Sequence, residues 1–500
     1  MSRTTLPAAA LAAVLLLSGC FGGTTEASGD GAGSGDRVRL AMLQPPRSGL
    51  SPFSDDAFKL SRWSTAETLV TLDADGVAQP ALATGFAQQG DPRTWRFELR
   101  DGVTFHDGTP FTVESVVTTL TAATKASPRP RILDGVELTV TPDPAAPADA
   151  VLVTTGDADP LVPQRLSSPQ LSILAAAAYG ADGVVDPIGH GTGPFRLVSA
   201  DTTTARLDRY DGYWGGPAKA AGIDVSFVPD GTARAAALRT GTADVVEAVP
   251  VSQAALLDAA QIHEVPMPRT NTLYLNTEKG AFKDPAVRAA ARAAVQRDPI
   301  VATVYEGRAD VAAGLLGPAL PWAAPARPQR TPAAPATVTG TPIVLATFTD
   351  RAELPEVAVQ LQQQLEAAGF TVEQEIREYA QIEADALAGT FDAFILSRAT
   401  VLDSGDPVAY MYSDFACDGS FNIAQLCDPA IDAALKAASA AAPGAQRQAA
   451  IMQAEKLILE SDAAVPLLHE RVIQGESGAF TAVERDSRER MLITSGTAPA

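Results

Sequence analysis

Four histidines, His106, His190, His263 and His469, are the residues best suited by type to hold a metal or carry a proton, and their spacing is against it. No two stand four apart, and neither a His-Glu-x-x-His run nor a Cys-x-x-Cys pair occurs, so no metal cluster is written locally. The run Gly189-His190-Gly191-Thr192-Gly193-Pro194 has the glycines of a phosphate cradle but not its Gly-Lys-Ser/Thr ending. Pro194 also removes a backbone donor where a cradle needs one, so a tight turn is expected. No nucleophile elbow and no pairing of nucleophile with base is found, so no enzyme is expected. A secreted hydrolase is the alternative from another class. What remains is the chemistry of binding: carboxylates that grip an ammonium group and arginines that fork a carboxylate. Phe58, Trp63, Tyr410 and Phe421 offer walls for side-chain pockets, although aromatic residues more often belong to cores.

The N-terminus indicates where such binding would take place. Arg3 precedes an apolar run over residues 6–17, which ends in Leu17-Ser18-Gly19-Cys20. The run is too short for the roughly 30 Å hydrocarbon core, which takes about 20 residues, and its small-residue ending suits cleavage. A signal peptide over residues 1–19 is expected; by resemblance to lipoproteins, Cys20 becomes the lipid-bearing mature N-terminus, an ordinary secretory signal being the alternative. Residues 20–36, Gly- and Ser-rich and without apolar periodicity, read as a flexible tether. The chain is thus expected outside the cytoplasm, anchored to the cell membrane on its surface or periplasmic side. No later segment is long and apolar enough to span a membrane. The formal charge of −21 argues against a nucleic-acid partner. After Cys20 only Cys417 and Cys427 remain, and in an exported chain they read as one disulfide, with two separately buried thiols as the alternative. Closing so small a loop contributes about 2–3 kcal/mol.

The elements that must position a site alternate between β-rich and Ala-rich runs, the pattern of an α/β protein. The body beginning at Arg37 is too long for one core, so at least two lobes are expected. Strands are expected at 38–43, 94–99, 136–140, 223–228, 244–249, 271–276, 343–346, 371–376 and 391–396. Helices are expected after Thr112, at 232–239, from Asp284-Pro285 to about Gln296, and at 356–368. Residues 318–335, rich in proline, are too poor in periodicity to be core.

Four segments carry a resemblance to the family 5 extracellular solute-binding proteins, which include the dipeptide-, oligopeptide- and nickel-binding proteins of ABC importers. The first is Trp95-Arg96-Phe97-Glu98-Leu99-Arg100-Asp101-Gly102-Val103-Thr104-Phe105-His106-Asp107-Gly108-Thr109-Pro110. The second is Gly191-Thr192-Gly193-Pro194-Phe195, followed by Tyr210 and Tyr213-Trp214-Gly215. The third joins Leu273-Tyr274-Leu275-Asn276 to Asp284-Pro285-Ala286-Val287-Arg288 and Tyr305-Glu306-Gly307. The fourth is Asp403-Ser404-Gly405-Asp406-Pro407 with Cys417, Asn422 and Cys427-Asp428-Pro429. Each is weak alone; their order along the chain makes them specific.

The resemblance implies a two-lobed α/β periplasmic-binding-protein fold of the large type II class, with the ligand cleft between the lobes. The first lobe would hold residues 37–267 and 465–500, with an extra subdomain inserted at about 60–185, and the second lobe 268–464. Crossovers near Pro266-Met267-Pro268 and Val465-Pro466-Leu467 would be hinges. The implied function is capture of di- or oligopeptides, or another small solute, for delivery to an ABC permease and its ATPase subunits, by a monomer without cofactor. A nickel or metal-chelate carrier is the rival in the same family. Asp403 falls where peptide-binding members present an Asp to the ligand's α-amino group, though its run is also good turn chemistry. Arg351 and Arg269 are candidates for the ligand carboxylate, and Phe58, Tyr410 and Phe421 for its side chains.

Overall fold

The computed structural model describes residues 36–500 except positions 134, 181–182, 352 and 402–403. Cys20, the signal peptide, all of the tether but Asp36, and Asp403 lie outside the described residues. Among those described, eleven strands form one sheet. One end is built on Arg37–Met42, whose neighbours Gly222–Phe227 and Val245–Val246 both run parallel to it. Its first half alternates, with Arg39 exposed between the buried Val38 and Leu40, whereas Leu40, Ala41 and Met42 are buried in succession where both faces are covered. Thr204–Arg209 and Phe195–Ala200 extend this end by antiparallel pairing. The other end is Thr341–Phe348, parallel to both Phe370–Arg377 and Ala393–Ala399.

Two long antiparallel strands, Ile262–Leu275 and Ala464–Glu476, join the ends. Leu273, Tyr274 and Leu275 on the first, and Val465, Leu467 and Leu468 on the second, belong to one buried cluster. Ile473 packs in another with Ala41, Leu238 and Val246. Each long strand thus leaves one core and enters another. Their ladder breaks between the two: Pro266 faces Arg471 and Thr270 faces His469, so Met267, Pro268 and Arg269 oppose the single residue Glu470. Two prolines without an N–H cannot continue the ladder, and a bulge takes up the difference.

A third layer is a four-stranded sheet of Ala83–Gln88, Thr94–Leu99, Ala150–Thr155 and Leu138–Pro142, covered by the helix Val113–Lys125. Thr112 caps this helix and Ser115 returns the bond, satisfying two of the donors left free by a helix start. Phe97, Val116, Leu120 and Val153 join the cluster that also holds Val38, Leu40 and Ile223.

Several expected elements end elsewhere. The strand expected at 136–140 spans Leu138–Pro142, and that at 244–249 shortens to Val245–Val246. In the second case the buried Arg234 draws the carbonyls of Glu247 and Ala248 to its guanidinium, turning the chain out of the sheet. The helix from Pro285 stops at Ala294 and a second runs Arg297–Thr303, because Pro299 lacks the N–H a continuous helix would need there. The proline-rich segment is partly core: Leu320 and Ala323 are buried. Arg327 holds it down by an ion pair of 2.9 Å with the buried Glu455, a tie that leaves no mark in local periodicity.

Candidate functional site

Ligands of open α/β sheets bind beyond the C-terminal ends of parallel strands. At one end of this sheet, Arg37–Met42 runs out into Leu43 and Val245–Val246 into Glu247. The Leu43 N–H donates to Glu247 Oε2 at 2.8 Å, and Arg62 pairs with Glu247 Oε1. At the other end, Thr341–Phe348 leads to Arg351, while Ser397 and Arg398 lie at the end of Ala393–Ala399. The bulge brings Arg269 beside them, opposite Ala399.

Arg351, Ser397 and Arg269 converge on Glu470. Arg351 Nη1 donates to Glu470 Oε2 at 2.9 Å, and Ser397 Oγ donates to Oε1 at 2.5 Å. Arg269 Nε stands 3.7 Å from Oε2, outside hydrogen-bond range. The Arg269 side chain is only 21 % exposed and makes no hydrogen bond among the described residues. Burial, and then the neighbouring Arg351 charge, push its pKa down. A guanidinium stripped of water without full replacement is costly unless something else completes its shell. Sequence reading thus selected both arginines but missed Glu470, which gathers them.

A second pair lies next to the first. Arg398 donates to the fully buried Asp414 at 2.8 and 2.9 Å, and its guanidinium stacks 4.1 Å from the Phe421 ring centre. Burial raises the Asp414 carboxyl to about 6, against the pull of Arg398. Tyr410 is buried edge-on to Phe415, 6.0 Å between ring centres. Phe58 is half-buried on the helix Ala57–Arg62. Trp63 is wholly core, with its indole N–H 3.2 Å from Met42 Sδ.

Around position 403, the Gly405 N–H donates to the Val401 carbonyl at 2.9 Å. Asp406 accepts from Arg447, on the helix Ala445–Glu460, at 2.6 and 3.0 Å and from the Val408 N–H at 2.9 Å, so its carboxylate is spent on holding the loop to that helix. Cys417 and Cys427 form a disulfide. His106 is structural: its Nε2 lies 2.8 Å from the Gly193 carbonyl and burial lowers its pKa to about 4. The glycine run beside it is a close chain crossing. A methyl group on Gly191 would fall 1.9 Å from the Thr65 carbonyl oxygen, and one on Gly193 2.0 Å from that of Ser64. Glu67 ties this crossing to the second motif, accepting from Thr192, Tyr213 and Trp214 at 2.8, 2.9 and 3.0 Å.

The profile of the bacterial extracellular solute-binding proteins, family 5, matches residues 77–422. The chain belongs to that family. Among curated relatives of this family 5 protein, the probable di/tripeptide-binding protein 5 of Pseudomonas aeruginosa is 27 % identical over 455 residues, covering 80 % of this chain and 84 % of that one. The glutathione-binding protein GsiB of Salmonella typhi is 29 % identical over 266 residues, 51 % of each chain. The match thus spans about half the length of that relative. Among solved structures, NikA from Brucella suis in complex with Fe(III)-EDTA superposes with a TM-score of 0.79 at 23 % identity, covering 92 % of this chain and 100 % of the other. The family 5 protein therefore has the expected periplasmic-binding-protein fold. No helix among its described residues is long and apolar enough to cross a membrane.

Proposed function

We propose that this family 5 protein captures short peptides outside the cytoplasm and delivers them to an ABC permease and its ATPase, without chemistry of its own. The observation that carries the reading is Arg269. It is a desolvated guanidinium without a side-chain hydrogen bond among the described residues, beside an Arg351 already shared with Glu470, at the strand ends where a ligand carboxylate would dock. Two arginines around one carboxylate leave a positive charge to be matched. Asp403 is assigned to the ligand's ammonium group, and Phe58 and Phe421 to its side chains; Tyr410, packed in the core against Phe415, backs the site rather than lining it. The relatives named for di/tripeptide and glutathione binding support short cargo.

The halves would close about the bulge at Met267–Arg269 and Glu470. The second hinge is placed nearer Glu470 than Val465, because Val465, Leu467 and Leu468 are packed in one core. Cys20 is assigned as the lipid anchor, which keeps the receptor near its permease. The experiment is native mass spectrometry of protein purified without ligand exchange, followed by calorimetry with the peptide recovered. A di- or tripeptide adduct is expected. A metal-containing adduct, or no binding by any short peptide, would overturn the reading.

A further inference from the structure

Charge around the proposed carboxylate site is set by an internal residue. Arg351, Arg269 and Ser397 come from three different places in the chain, and each turns a donor toward Glu470, whose side chain is 13 % exposed. Arg398 is already matched by the buried Asp414 and Arg62 by Glu247. Glu489 adds a further carboxyl whose field reaches Arg269. Burial pushes the Glu489 pKa up and favours its neutral form, so among the described residues Glu470 is the carboxylate that both arginines face directly, in a place with little water, where charges act on each other over several ångströms.

We propose that Glu470 is the specificity-determining residue of the cleft, leaving room for one cargo carboxylate and disfavouring a second. This inference rests on the peptide reading and narrows it. The cargo class is short peptides with neutral or basic side chains, and acidic ones are rejected by electrostatic repulsion rather than by shape. Replacing Glu470 by Gln keeps a similar volume and an acceptor for Ser397 while removing the charge, so acidic cargo gains. Removing Arg351 takes away a cation, so acidic cargo loses further. A merely structural role would not give opposite signs.

The test is calorimetry of the full-length protein with Ala-Gln and Ala-Glu, which differ by one charge at nearly equal size. The wild type is expected to bind Ala-Gln at least fivefold tighter. In Glu470→Gln the ratio should move at least tenfold toward Ala-Glu, and in Arg351→Gln it should move the other way. A wild type that prefers Ala-Glu or does not discriminate, or a ratio that is unchanged or moves in one direction in both variants, overturns the inference and leaves the peptide reading standing. Should Glu470→Gln fail to fold, Arg351→Gln decides alone, an unchanged ratio counting against. If the wild type binds no short peptide at all, both fall.

Discussion

Arg398 and Asp414 are bound to each other inside one half of the molecule, the guanidinium carbon over the Phe421 ring and the carboxylate fully buried. Removing Arg398 would leave a buried acid without its cation, a loss of about 3–5 kcal/mol where the acid is charged. The Asp414 carboxyl, raised to about 6, takes up a proton as pH falls and then no longer needs the partner. Arg398→Ala is therefore expected to lose more stability at pH 7.5 than at pH 5, as read by urea denaturation at both.

His106 and His469 respond in the opposite sense. Burial lowers both to about 4, so each stays neutral in the fold while the unfolded chain takes up a proton near 6.5. Their stabilising share is complete above about pH 6.5 and is lost as pH falls toward 4, by up to about 1.4 kcal/mol per pH unit for each ring. NMR of the ring carbons should find both neutral at pH 5.5; an imidazolium at either position would contradict the assignment.

The Cys417–Cys427 bridge closes a short loop next to the helix Pro429–Ala440, where the Cys417 N–H donates to Asp432 at 3.0 Å. Mass spectrometry of an unreduced digest should recover the linked peptides. The double Ser variant should lose about 2–3 kcal/mol. Labelling of two free thiols in the native protein would count against the bridge.

Asp403→Ala is expected to weaken a cognate peptide at least tenfold in calorimetry, and N-acetylation of that peptide should cost the wild type as much. An acetylated peptide that binds unchanged would remove the amine from the account.

Much of the scaffold was legible because its signals are local. Alternation along Thr94–Leu99 foretold a half-exposed strand, Thr112 a helix start, and Asp284-Pro285 another, since each depends on residues within one turn or one pleat. Prediction failed where distant side chains intervened. Arg234 shortened a strand by claiming its carbonyls, and Arg327 drew a proline-rich stretch into the core through Glu455. Arg398 carried no signal at all, because its partners Asp414 and Phe421 are defined by a helix and a loop that fold back onto its strand.

By itself, the amino-acid sequence determined the family, the α/β class and the two cysteines, because motif order, periodicity and export chemistry are written along the chain. It also singled out Arg269 and Arg351 as cations awaiting an anion. Only the tertiary structure decided that they share Glu470, which is 119 positions from Arg351. A charge finds its partner through space: the bulge at Met267–Arg269 and the meeting of three strand ends, not any spacing, bring these three residues within reach.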